Sequence, residues 1–482
     1  MDPTPSTTHN SRFGRLYRQP NLKLALLLIF GSSAVVLVGR SWANAAPKTD
    51  LARAGKSDGA PGTRTARRVS DADYPSLQDA INAVAPTGGI VEVSRVHQPH
   101  EQISLASNIQ LLGVGGSIKF MGNNATEHYG DSSPSRVSIN GNRIRNVRII
   151  DLEISDGVPQ ASPLTGIRLF NAVDVWVERN RFTKAALSFN SDDAQLIRNL
   201  KCRDNFVDLG GVNATGIYLS AQNGAIIEGN TVVAGHEGIG VYNGTQNAFI
   251  SHNVTTKHRP GDGIVVMRGH DLIISENVSK DNAQSGIATQ RLQSGDDIRH
   301  VTIVANIVSG NAYDGIDSNG GREGVTYQQP HDINIVGNQS YGNTRTGIFV
   351  SRASHALVAA NRSSDNGMAG LFIDKSNYVL ASSNKISANA SQEPSPNFRA
   401  GIVLLDALHT TCTGNMSAND WGGSQDWGLT EAGNGKSVNF TNVSGGSFEG
   451  NRLGGINRTG PDSSMPSAAV GRRRTASGSS SH

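Results

Sequence analysis

The sequence predicts an all-β solenoid, a single coil of short parallel strands closed at its N-terminal end by a short helix. Three observations carry that expectation. Glycine is abundant at 55 of 482 residues, charged residues make up 17% and aromatics 5%, which suits turns and strands better than helical bundles. Nine times the chain places Gly before Ile or Leu and a short alternating run: "GIRLF" at 166, "GIYLS" at 216, "GIGVY" at 238, "GIVVM" at 263, "GIATQ" at 286, "GIDSN" at 315, "GIFVS" at 347, "GLFID" at 370 and "GIVLL" at 401. A second series runs in step, apolar residues leading to Asn180, Asn230, Asn253, Asn277, Asn306, Asn338, Asn361 and Asn384. From Asn230 the spacings are 23, 24, 29, 32, 23 and 23, and short strands repeating at such a period are the mark of a solenoid.

The elements follow in chain order. Residues 1–45 read as a signal peptide or signal anchor: a basic stretch precedes an apolar run from Leu24 to Gly39, and "ANA" (43–45) offers a small-residue cleavage site. That run is 16 residues long, short of the ~20 of a comfortable spanning helix. Either reading places the body outside the cytoplasm, with membrane contact only through this segment. Residues 46–70 lack periodicity and read as a flexible linker. Leu77, Ala80, Ile81 and Val84 then fall on one helical face behind Ser76 as N-cap, and a helix here would cover the sticky first edge of the coil. The coil itself spans 71–458, and 459–482 reads as a disordered tail.

A period near 23 fits three short strands per turn, each serving as the crossover that returns the chain to a parallel neighbour. This arrangement resembles the right-handed parallel β-helix of the pectate-lyase-like superfamily. Its rungs would stack ~4.8 Å apart around a continuous core of Ile, Val and Leu. The recurrent asparagines, including those in Asn-x-Ser/Thr strings, are expected to ladder from turn to turn. Cys202 and Cys412 each stand three residues before a rung asparagine, so they share a column eight rungs apart, roughly 38 Å. A disulfide needs Cα atoms within about 7 Å, so two unpaired thiols are expected.

Charge excludes one partner class. The first 45 residues hold five of the 43 bases and one of the 40 acids, so the body is near neutral and nucleic-acid binding has no global support. With each rung's Gly as zero, residue +1 points inward and +2 and +4 outward. The +2 column holds a single acid, Asp317, followed by Phe349 and Phe372. The +4 column contains Tyr242, Met267, Gln290, Asn319 and Ser351. The +5 column holds Arg268 and Arg291 below Gly320, and Arg352 and Lys375 above it. One acid flanked by cations and aromatics fits a groove for an anionic polysaccharide, since the planar Arg fork can grip successive carboxylates. The loops 291–300 and 320–332 would wall this face.

"GIDSN" followed by "GNTRTGIFVSR" (342–352 spans the second string with its Gly) resembles the catalytic region of the periplasmic mannuronan C5-epimerases. The resemblance maps Asp317 onto the catalytic-region aspartate and Arg352 onto the arginine that neutralises the substrate carboxylate. Asn319 and Thr346 stand where that family has histidines, and Ser318 where it has proline. The implied reaction is removal of the C5 proton of a uronate, by an epimerase or a lyase. Arg352 or Arg291 would hold the carboxylate, and Asp317, His331 or His258 would take the proton. Two rivals stay open. A hydrolase needs paired carboxylates, which Asp314 with Asp317, or Glu237 with Asp262, could supply; the latter pair could also hold calcium, and no cofactor is otherwise implied. A non-catalytic polysaccharide-binding or surface structural β-helix would tolerate Asn319 at a histidine position.

Overall fold

The structure, a computed structural model, describes residues 66–459 apart from 124–125, 129–130, 159–161, 291–296, 322–328, 397, 420–423, 434–442, 445–446, 449–450 and 452. Residues 1–45, read above as a signal peptide or anchor, residues 46–65 and those beyond Thr459 lie outside it. Three sheets of 16, 13 and 15 strands run along the described chain, parallel throughout except for Thr126–His128, which pairs antiparallel in the third. The first begins at Arg67–Ser70, the second at Val96–His97 and the third at Ile103–Ser104. Each turn of the coil lays one strand on each sheet in that order. The first strand corrects the linker boundary: Arg67–Ser70 pairs with Gly89–Val93 and belongs to the coil. Its Val69 supplies apolar contact to the core, which aperiodic flanking sequence had concealed. Among the described residues no helix is long and apolar enough to cross a membrane.

Helix α1 (Leu77–Val84) forms as its sequence dictates. The Ser76 hydroxyl accepts from the Asp79 amide at 3.1 Å, and Leu77, Ala80, Ile81 and Val84 are all buried against the first rungs. Inside the coil, alternate residues of most strands form one apolar core from Leu77 to Leu429, with Thr255, Ser279, Ser340, Ser363 and Ser417 as buried polar members of the second sheet. The column holding Cys202 runs through Ile227, Ile250, Ile274, Ile303, Ile335, Val358 and Ala381 to Cys412, eight steps as the repeat implied. Both thiols are free and buried, and burial pushes Cys412 up to about 12.

Polar ladders seal two corners of this core. Between the first and second sheets, ten asparagines from Asn180 to Asn415 stack in one file. Each amide nitrogen donates to the side-chain oxygen of the next asparagine and to a core-strand carbonyl; Asn306, for example, donates to Asn338 Oδ1 at 3.0 Å and to the Ile274 carbonyl at 2.9 Å. A second file, absent from the sequence reading, closes the corner before the third sheet: Asn282, Asn311, Asn343, Asn366 and Asn389. Both files satisfy buried turn amides that would otherwise be unpaired.

Candidate active site on the third sheet

The backbone register reproduces the columns read from the repeat. Ala288, Asp317, Phe349 and Phe372 are successive partners, as are Gln290, Asn319, Ser351 and Asp374. Ile316 belongs to the interior core, so Asp317 stands on the outward row. It is nevertheless only 7% exposed, and its row neighbours Val265 and Ala288 are fully buried outside the interior cluster. The expectation of an acid at the centre of an open row is therefore corrected. Asp317 is recessed.

Its surroundings are acidic. Gln290 Nε2 approaches Asp317 Oδ2 at 3.4 Å, a long contact, while Oδ1 is buried with no hydrogen-bond partner among the described residues. Burial, followed by the nearby carboxyls of Asp314 and Asp262, holds the Asp317 proton affinity well above the usual carboxylate range; Arg345 and Gln290 oppose that only in part. Asp262 and Asp314, each immediately before a rung glycine, are 2% exposed, and Glu237, 4% exposed at the same position in the rung below Asp262, extends the file. Burial raises Asp262 to about 7 against the opposing hydrogen bond from the Ser285 amide at 2.7 Å, with Glu237 and Asp314 adding to the rise. Asp314 is also raised by burial, although Arg345 at 3.8 Å and the Thr346 amide at 2.8 Å pull the other way. Arg345 had no role in the sequence reading. It sits over the Tyr313 ring one rung below, 5.3 Å from the centroid, and a shared offset of two residues before the rung glycine was the available signal.

The other expected residues divide. Tyr242 stacks on Tyr218 at 4.6 Å and donates its phenol proton to Glu237, which also accepts from Thr215 Oγ1 at 3.0 Å. Phe349 meets Phe372 edge to face at 5.5 Å, and Phe372 packs against Phe398 from the 391–399 loop. These two aromatic groups bracket the carboxyls along the row. Arg268 is exposed, and Arg291 lies outside the described residues. Arg352 and Lys375 occupy left-handed corner positions with φ of 49° and 45°. Arg352 donates through Nη1 to the Gly321 carbonyl at 2.5 Å, so it braces the base of the 320–330 loop. Gly320 is required there, because a Cβ would come within 2.4 Å of the Arg352 carbonyl oxygen. Both cations also lie near enough to Asp374 to stabilise its charge, so the row is not of one sign. Asn319 accepts from the Gly321 amide at 3.0 Å and shapes the turn into that loop.

Of the histidines, His331 opens the adjacent first-sheet strand and donates through Nδ1 to Asp332 Oδ2, 2.8 Å away, leaving Nε2 as its second functional atom. His258 is removed from consideration as the base. It is fully buried at the foot of the second asparagine file, its Nδ1 accepting from the Gly235 amide and its Nε2 donating to the Val232 carbonyl. Burial lowers it to about 4, so it is neutral and structural. Among the described residues no three His, Cys, Asp or Glu side chains come together as a metal-ligand set, and Glu237 is already engaged by Tyr242 and Thr215.

Known proteins share the architecture. A family profile described as a right-handed β-helix region matches residues 185–331. The fold is a right-handed parallel β-helix. A second profile, described as the periplasmic copper-binding protein NosD, matches residues 296–442. No curated protein matches the sequence. Among solved structures, the Dettilon tailspike protein aligns at 14% identity and TM-score 0.52 over 82% of this chain and 69% of its own. The Siphovirus 9NA tailspike receptor-binding domain aligns at 13% identity and TM-score 0.50, covering 82% and 76%. The mannuronan C-5 epimerase AlgE4 A-module of Azotobacter vinelandii aligns at 15% identity and TM-score 0.45, covering 82% and 97%. At these identities the likeness is one of fold.

Proposed function

We propose that the protein is an exported enzyme acting on an acidic, uronate-containing polysaccharide laid along the outer face of the third sheet, with Asp317 as the acid of the reaction. The observation that carries this reading is the recessed outward carboxyl of Asp317, with one oxygen unpartnered and other carboxyls around it. Such a group holds its proton more tightly than an ordinary carboxyl and can donate it to a ligand, the role a buried carboxylic acid performs best. Donated to a uronate carboxylate, that hydrogen bond stabilises the charge that develops when the C5 proton leaves. The C5–H electron pair moves into the carboxylate while a base, for which His331 is the candidate, takes the proton. Return of a proton to the opposite face gives the epimer; expulsion of the C4 oxygen gives an unsaturated end. Tyr242 and Gln290 line the approach, Phe349 offers a sugar-stacking face, and Arg268 and Lys375 supply positive charge toward the polymer. Arg352 acts through the loop it braces. No step is assigned to calcium or another metal.

Hydrolysis is the second reading, favoured by one observation: the raised carboxyls of Asp262 and Asp317 belong to one cluster, as a general acid with a neighbouring carboxylate would. A panel of polyuronates separates the readings. Unsaturated ends mark a lyase, changed C5 stereochemistry an epimerase, and new reducing ends a hydrolase. Asp317→Asn should abolish turnover while polymer binding persists. Binding without turnover on every polymer by the unaltered protein would replace the enzyme reading with that of a polysaccharide-binding β-helix.

A further inference from the structure

The outer face of the first sheet is unlike that of the third. Its main outward row runs Phe249, Ile273, Thr302, Asn334, Leu357, Leu380 on consecutive rungs. A parallel row two residues further on runs Ser251, Ser275, Val304, Val336, Ala359, Ser382. Neither row contains a charge over these six rungs, and Ile273 and Leu380 are 43% and 37% exposed. Both rows read the same in either direction about the midpoint between the strands Ile298–Val304 and His331–Val336. The first reads apolar, apolar, polar, then polar, apolar, apolar; the second reads small, small, Val, then Val, small, small.

A third row repeats the pattern in charge. The corner residues that open these rungs are Asn247, Asp271, His300, Asp332, His355 and Tyr378, all left-handed with φ between 50° and 56°. About the same midpoint, Asp271 mirrors His355 and His300 mirrors Asp332; within one coil His300 also bridges Asp271 at 3.0 Å and Asp332 at 3.5 Å. The remaining charges at the far edge, His252 and Glu276, are paired with one another at 2.9 Å.

We propose that this face joins two copies of the chain as a two-fold dimer with the coils antiparallel. A two-fold axis lying in the face along the strand direction places each row against its own reverse, which is the condition for an isologous contact. Phe249 then meets the partner copy's Leu380 position, Ile273 its Leu357, Thr302 its Asn334 and Val304 its Val336, with imidazole facing carboxylate along the corner row. Six rungs at ~4.8 Å and a width of about 15 Å give a footprint of roughly 430 Å² per copy before side-chain relief, the size of a weak, reversible interface. The arrangement leaves the third sheet of both copies open to a polymer, and it meets the proposed chemistry only at the corner row, where Asp332 holds the candidate base His331.

Sedimentation velocity of the full chain from about 1 to about 200 µM tests it. The expected result is a monomer–dimer equilibrium. Ile273→Lys alone and Leu357→Glu alone shift the chain to monomer, and the double variant restores the dimer because each lysine faces the partner's glutamate. Within one coil these positions are three rungs apart, too far to pair, so rescue cannot arise from an internal salt bridge. A Phe249→Cys/Leu380→Cys variant should form an intermolecular disulfide that neither single variant forms. A monomer throughout the concentration range, or self-association that Ile273→Lys leaves unchanged, overturns the proposal.

Discussion

Two files of buried polar side chains run along the same coil and reach opposite outcomes. In the asparagine file from Asn180 to Asn415, every amide finds a carbonyl and a neighbouring amide, and no charge is involved. In the carboxyl file of Glu237, Asp262, Asp314 and Asp317, like groups crowd one another and an oxygen of Asp317 has no partner. Burial costs both files their hydration; the first recovers it throughout in hydrogen bonds, whereas the second, though Glu237, Asp262 and Asp314 are hydrogen-bonded, leaves Asp317 Oδ1 without a partner among the described residues. A satisfied file is architecture, and an unsatisfied one is poised to meet a ligand. The contrast also explains why recessed Asp317 remains the centre of the candidate site: exposure would return it to an ordinary carboxylate.

The largest expected effect comes from breaking the satisfied file. Asn306→Leu removes donors to Ile274 and Asn338 and orphans the Asn277 amide, so chemical denaturation should show a loss on the order of 4 kcal/mol. Relieving the unsatisfied file should do the reverse. Asp262 titrates near 7 when folded, so the unfolded chain releases that proton first and the fold loses stability as pH rises from about 4 through about 7. Asp262→Asn should therefore match the parent at pH 4, gain progressively across that window by roughly 4 kcal/mol, and gain no more above it.

A smaller effect tests the boundary between the files. His258 is held neutral, with its folded value lowered to about 4, so its contribution is complete above its ordinary value and is lost as pH falls through about 4. His258→Asn continues the file begun by Asn282 and should cost about 1 kcal/mol at neutral pH while removing that acid-side loss. Arg345→Gln should change stability least, by under about 1 kcal/mol, because the guanidinium is partly exposed. It should still raise the proton affinity of Asp314 and Asp317 further, moving the alkaline limb of any pH–rate profile upward.

The coil was legible because its signals are local and repeated. Gly, an apolar pair and a recurrent asparagine at a period near 23 fix register, and register alone placed Asp317, Gln290, Asn319 and Phe349 on shared columns and kept Cys202 from Cys412. What escaped depends on the third dimension. Nothing in "TTKHRP" tells that His258 faces inward and replaces an asparagine, and nothing in "SNGGREG" tells that Arg352 will turn its guanidinium onto the Gly321 carbonyl. The recess around Asp317 is likewise a property of neighbouring turns, not of its own strand. Arg67–Ser70 was missed for a simpler reason: a four-residue strand at a chain boundary has too little length to show its period.

The central claim is that Asp317 carries a proton at neutral pH while facing the substrate side of the coil. Difference infrared spectroscopy of the unaltered protein against Asp317→Asn, followed through a pH titration, reads that proton directly. The account predicts a carboxylic-acid carbonyl band belonging to Asp317 that persists at pH 7 and is perturbed when a polyuronate is added. A band already converted to carboxylate by pH 5 would contradict it.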